Sequence, residues 1–415
     1  MRAREAPTPN LLLRSARVLL VALAMSPAVL AQQTWIVDKL NRPGTHFRDL
    51  PAAVAAAAPR DVLMLRATSD PNQFYSTPGV IDGKPLTVSG EGPGTFLRGV
   101  VEVRNLPASE SFVFRDLHFD GPNGHPHNLV LSANAGTVVL SGLQIDGFQN
   151  FTLTTSATIW TDCALVIVDR CNVDVSDGPF AAVRSRVVVL GSTFRHSSPL
   201  ASLASWFLPG TLHLTDSELW ITASTIRGPS AITSTPPRAF FASSPLYVCR
   251  STVHLGPATT LEGGVDGTGL RLTAFYNSCI NSQPWPPVYV DPSVQAIGGL
   301  GPRMTYVHGS LAGLSYSVTP TTLQVDHLYG PAGASLLVLG PLASTPWSGG
   351  GIGPVFVDVA NAWSDLRLAL LPGPSTRTFA IPPGLPPGLL LGAQALTLIP
   401  PGTLLTSNVA AIALP

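Results

Sequence analysis

The sequence predicts an all-β chain, most of it a solenoid of stacked coils, and three observations carry that prediction. Six segments share one pattern of alternating apolar residues, a two-residue corner and a second short alternating piece: 112–119 (FVFRDLHF), 138–145 (VVLSGLQI), 166–173 (VIVDRCNV), 187–194 (VVVLGSTF), 219–226 (LWITASTI) and 246–253 (LYVCRSTV). They recur at intervals of about 21 to 32 residues, which is the spacing of stacked structural units. Alternation broken by a corner reads as two strands meeting at a bend, not as a helix.

The elements follow in chain order. Residues 1–31 read as an export signal: Arg14 and Arg17 precede the apolar run from Val18 to Met25, and Val29-Leu30-Ala31 offers small residues before Gln32. Thr34 to Asp38 reads as a strand. Leu50 to Ala58, Ala-rich and free of Gly, is the one convincing helix of the mature chain. Asp61 to Leu65 and Leu86 to Val88 read as strands, with Tyr75 between them. This order of short helix, strand, loop and strand resembles the N-terminal cap of secreted right-handed parallel β-helices of the pectate-lyase-like superfamily. The resemblance covers roughly residues 34 to 280, and Arg60 stands where that family usually has Gly. It implies that the helix plugs the open end of the coil stack, which would otherwise expose unpaired strand edges.

The repeats fade after Phe275, and Pro284-Trp285-Pro286-Pro287 with Gly298 to Pro302 marks a boundary. The expected domains are therefore a signal over 1–31, a β-helix with its cap over 32–300, and a C-terminal β-rich module over 301–415. In the last, short apolar strands such as 335–339, 354–359, 366–371, 389–398 and 408–414 alternate with Gly and Pro turns. That pattern predicts a small antiparallel, sandwich-like domain.

Composition excludes several classes of function. Net charge is zero and 12% of residues are charged, so there is no basic field for nucleic acid and no polybasic membrane patch. No second apolar run approaches the roughly 20 residues of a membrane span. Four cysteines allow three pairings; Cys163 with Cys171 and Cys249 with Cys279 is the preferred one, with a buried free thiol the competing reading for Cys171. No Cys/His spacing suggests zinc.

Alignment of the repeats assigns faces, because side chains alternate along a strand. One outward column reads Val113, Val139, Ile167, Val188, Trp220 and Tyr247. An apolar outer column predicts coverage by the other domain, a loop or a partner; the alternative is that Trp220 and Tyr247 form a sugar-stacking platform. A second column reads Asp120, Asp146, Asp174, Arg195, Arg227 and His254, flanked by His118, Gln144 and Asn172. Stacked carboxylates about 4.8 Å apart must be neutralised by Arg195, protonated or bridged by a cation, and calcium, which takes several oxygen ligands, is the candidate ion. Against this stands ordinary turn chemistry at Asp120-Gly121 and Asp146-Gly147. By resemblance to pectate lyases, Asp120, Asp146 and Asp174 would be calcium ligands and Arg195 the base that abstracts a proton.

The family's catalytic motifs are incomplete. Ile159-Trp160-Thr161-Asp162-Cys163 is similar to the Trp-x-Asp-His element of the lyases, with Cys163 in place of His, and no Arg-x-Pro-x-x-Arg follows. Asn123-Gly124-His125-Pro126-His127 is similar to the Gly-His-Gly of polygalacturonases, with Pro126 in place of the second Gly. No esterase elbow, P-loop or zincin motif occurs. The expectation is a secreted or cell-envelope scaffold without catalysis, requiring no cofactor, that binds polysaccharide or a cell-surface protein. The rival is a polysaccharide lyase or glycoside hydrolase working at the aspartate column, with Arg184, Arg186, Arg195 and Arg227 as the only contributors to a basic groove.

Overall fold

The computed structural model describes residues 32–414 except 120–128, 147–157, 175–179, 196–210, 229–243, 266–270, 278–286, 370–374, 382–388 and shorter stretches of one to four residues. From Thr34 to His308 the chain winds through three parallel sheets of eleven, nine and eight strands. Each coil contributes one strand to sheet 1, one to sheet 2 and one to sheet 3, and pairs in parallel with the next coil: Val113, Val139, Ile167 and Val188 lie side by side in sheet 1, Phe119, Ile145, Val173 and Phe194 in sheet 2, and Val103, Leu131, Trp160 and Ala182 in sheet 3. This is the architecture of a parallel β-solenoid. Its inward residues form one continuous core running from Val37 to Met304.

The corners explain why so varied a sequence keeps one coil shape. Between sheets 1 and 2 the turn is made by a single residue in the left-handed region, successively Asp116, Gly142, Arg170, Gly191 and Ala223. Between sheets 3 and 1 the same task falls to Asn105, Ala133, Asp162, Arg184, Asp216 and Arg250. Left-handed backbone costs a non-glycine residue about 1–2 kcal/mol, so each corner is held from inside. Ser185, Ser217 and Ser251 form a ladder in which the backbone N–H of Cys163, Ser185 and Ser217 donates to the hydroxyl one rung on, at 3.1, 3.1 and 2.9 Å. At the other corner the N–H groups of Cys171 and Ser192 donate to Ser192 and Ser224, both at 3.0 Å.

The N-terminal end is closed as expected. Helix α1 (Leu50–Ala56) starts at Asp49, whose carboxylate accepts from Leu50 N, and it buries Leu50, Ala53 and Val54 against the first coils. Asp49 also accepts from Ser76 N at 2.9 Å and pairs with Lys39 at 2.9 Å, which pins the helix to the stack. Arg60 adopts the left-handed backbone its position requires, at φ 72°, and its guanidinium grips Glu110 at 2.6 and 3.0 Å.

Parallel pairing continues to the strand Thr305–His308, a few residues past the expected boundary near residue 300, and antiparallel pairing starts with Gly313–Val318. The C-terminal module then builds a three-stranded, a five-stranded and a two-stranded sheet, all antiparallel. Leu314, Tyr316, Leu323 and Val325 from the first of these share a core with Ala393, Ala395, Ala410 and Ile412 from the second.

The expected Cys163–Cys171 disulfide does not form: both thiols are free and buried. They sit at opposite corners of one coil, with the strand Leu165–Asp169 between them. At about 3.3 Å per residue that strand holds the pair some 15 Å apart, well beyond the roughly 7 Å limit for a bridge. Burial pushes the Cys171 thiol up to about 12. Cys249 is disulfide-bonded, and Cys279, its expected partner, lies outside the described residues.

Candidate functional site

The outward column of sheet 1 is the first place where sequence and structure meet. Val113, Val139, Ile167, Val188 and Trp220 do align, and they are buried in a cluster with Val338, Phe356, Val357 and Val409 of the C-terminal module. The cover is thus supplied by the chain itself. Polar contacts frame the apolar contact: Arg115 Nη1 donates to Leu414 O at 3.2 Å, Tyr316 Oη donates to Asp169 Oδ2 at 2.6 Å, and Arg186 lies over the Phe356 ring at 5.5 Å. Asp169 also accepts from Ser141 and from Arg170 Nε. Burial pushes its carboxyl up, and burial together with the Asp169 charge holds the Tyr316 hydroxyl well above its ordinary value.

Tyr247 does not belong to this column. The segment 246–249 lies in sheet 3, where Tyr247 pairs with His213, and Trp220 is followed instead by His254 and Tyr289. The reason is that both corner types turn on one left-handed residue between apolar pairs, so Arg250 imitates the corner of the earlier repeats. Trp220, His254 and Tyr289 stack face to face, at 3.8 Å and 10°, then 4.7 Å and 4°. Rings stacked along the solenoid axis turn their edges outward, whereas a sugar stacks on a ring face. With 6% of its surface exposed, Trp220 offers no platform.

Glu218 ties this ladder to its surroundings. It accepts from Trp220 Nε1 at 3.0 Å and pairs with Arg186 at 2.7 Å and His254 at 3.5 Å. Burial works against its charge, yet these partners prevail and hold the carboxyl down at about 2.

The second column runs along the outer side of sheet 2. Asp174 aligns with Arg195, and His118, Gln144 and Asn172 align beside them. Asp120 lies outside the described residues, as do His125 and His127. The member expected at His254 is Glu262, which aligns with Arg227. Side chains along the column pair off: Asp146 with His118 at 2.6 Å, Asp174 with Arg195 at 3.0 Å, Glu262 with Arg227 at 2.7 Å. Asp146 also accepts from Gln144 at 3.0 Å, and the bond from His118 is the main force holding its carboxyl below the usual range. Asp146 and Asp174 thus spend their oxygens on imidazole, amide and guanidinium partners, which is not the ligand set of a calcium site. Among the described residues no group of three His, Cys, Asp or Glu side chains gathers around a common point.

Where the column ends, the chain forms a cleft of about 290 Å³ lined by Arg195, Arg227, Glu262, Arg271 and the glycines Gly228 and Gly263. Arg195 and Arg227 close two adjacent strands of sheet 2. Arg271 reaches the cleft through a bridge with Val265 and donates to Gly263 O at 2.9 Å. Arg195 and Arg227 are each held in an ion pair through Nε, and the two side chains are 50% and 56% exposed. The sequence identified both residues but not Arg271 or Glu262, which sit beyond the last recognised repeat and come into place only through coil pairing.

The motif likenesses resolve into structure. Trp160 points into the solenoid, 0% exposed, with its ring edge-on to Phe180 at 4.0 Å. Asp162 occupies a corner and takes a two-pronged bond from Arg184 at 2.6 and 2.9 Å. No family model matches the chain, and no curated protein matches it.

Proposed function

We propose that the chain is an exported, non-catalytic scaffold of the right-handed β-helix type found in the pectate-lyase-like superfamily, and that it binds glycan at the cell exterior. The observation that carries this reading is the state of its carboxyl groups. Glycosidic cleavage by acid–base chemistry asks for a carboxyl with a raised pKa beside an open groove. Among the described carboxyls with a resolved shift, Asp38, Asp82, Asp146, Asp162, Asp216 and Glu218 are all held down by their partners. Asp169 alone is raised, and it is 1% exposed beneath the C-terminal module. The lyase alternative finds less support, because the Arg195 guanidinium is already engaged by Asp174 at 3.0 Å.

The test is to incubate the mature protein with polygalacturonate and alginate, with calcium and with chelator, while following unsaturated products and new reducing ends. The expected result is no turnover, together with retention of the protein on insoluble cell-wall glycan. Turnover that disappears in Asp146→Ala would establish the enzyme instead.

A further inference from the structure

We propose that Cys163 and Cys171 make folding of the solenoid redox-sensitive: the coils assemble only while both thiols are reduced, and a disulfide between them in the unfolded chain keeps it from the native state. In the folded protein both are free and buried, one at each end of the strand Leu165–Asp169. That strand pairs with the strand Thr137–Ser141 on one side and the strand Arg186–Leu190 on the other. Drawing its ends together from about 15 Å to the roughly 7 Å that a bridge allows would unpair the middle of the longest sheet. In the unfolded chain the same cysteines are eight positions apart, closer than any other two of the four, and a short loop costs the least entropy to close.

The reaction that competes with folding is exchange with a small disulfide such as oxidised glutathione. One cysteine thiolate attacks the oxidant's sulfur, forming a mixed disulfide and expelling one thiolate; the second cysteine then attacks the first one's sulfur and expels the other. Two electrons pass from the cysteines to the oxidant's S–S bond, and the two thiol protons go to solvent or to the departing thiolates. Folding ends the competition, because the thiolate is the reacting form and burial pushes the Cys171 thiol up to about 12 and the Cys163 thiol above its ordinary value. Cys249 is disulfide-bonded, so the chain calls for an oxidant that Cys163 and Cys171 must escape. The corners themselves do not need sulfur. Cys163 Sγ donates to Thr161 O at 3.5 Å, where Ser185 and Ser217 donate to Val183 O and Thr215 O at 2.9 and 2.7 Å. Cys171 Sγ donates to Asp169 O at 3.4 Å, where Ser192 donates to Leu190 O at 2.9 Å. Serine therefore fits both places and is the stronger donor there.

The experiment denatures and reduces the purified protein, exposes one half to oxidised glutathione while it is unfolded, and dilutes both halves into native buffer. Peptide mass mapping then reads the pairings and a thermal melt reads the native fraction. The oxidised half should carry the Cys163–Cys171 bridge and yield native protein reduced by about fivefold or more, with dithiothreitol restoring the yield. The double variant Cys163→Ser, Cys171→Ser, which cannot form the bridge, should fold after the same exposure as well as the reduced wild type does. Folded wild type given the same oxidant should gain no bridge. If the double variant does not fold even when kept reduced, the two single variants, each of which also removes the bridge, take its place. Oxidation of the unfolded chain without that bridge, bridged molecules that melt as the native protein does, a bridge that forms in the folded protein, or an equal loss of yield in wild type and serine variants would each overturn the proposal.

Discussion

Single side chains in this protein act mainly as neutralisers. Glu218 shows how much one position can carry, since it serves Trp220, Arg186 and His254 at once. Its carboxyl falls from a reference value of 4.5 to about 2 on folding. A depressed acid contributes stability above its unfolded pKa and loses it as pH falls through the folded value. For Glu218 that window runs from about 4.5 down to about 2, and the contribution is at most on the order of 3 kcal/mol. Glu218→Gln should therefore lower the melting temperature at neutral pH and flatten its decline across that acid window. Parallel melting curves of the two proteins that keep a constant offset from pH 6 to pH 2 would show that the charge of Glu218 does not matter.

At the scale of the element, the coil is defined less by its strands than by its corners. The inward hydroxyl ladder gives each corner a fixed bond, and Ser217 both accepts from Ser185 N at 3.1 Å and donates to Thr215 O at 2.7 Å. Ser217→Ala leaves a buried N–H unpaired, which costs about 1–3 kcal/mol, and chemical denaturation should read a loss of that size. Ser217→Cys, which keeps a weak acceptor, should recover part of it. The strands and the helix were legible in the sequence because alternation and the Ala-rich run are local signals. Corner type was not: Arg250 and Arg170 both follow two apolar alternations, yet one leads into sheet 1 and the other into sheet 2. That single ambiguity moved Tyr247 and His254 to the wrong columns and hid Glu262.

At the scale of the whole molecule, the longest sheet faces the chain's own C-terminal module. The apolar column announced that something would cover it, but a covering surface is set by tertiary packing, and no local pattern in 313–414 says which face of the module meets Val188 or Trp220. Val188 is fully buried in that contact. Val188→Asp would place an uncompensated charge there, at a cost of several kcal/mol, while leaving the inward core untouched. The module should then detach, and limited proteolysis should release the solenoid as a resistant fragment. Equal protease resistance of wild type and variant would mean that the contact contributes little to holding the two parts together.

The corners have one more consequence. The same offset separates Phe112 from Phe119, Val138 from Ile145, Val166 from Val173, Val187 from Phe194 and Leu219 from Ile226, and all five pairs stay in register. Most of the variation in coil length therefore falls between sheets 2 and 3, the side on which Arg195 and Arg227 end their strands. Residues can be inserted or deleted there without turning any inward side chain outward. The solenoid separates what must be kept from what can be rewritten: a stack of near-identical rungs preserves the fold, and one edge is left open for a lineage, or an engineer, to compose new recognition one rung at a time.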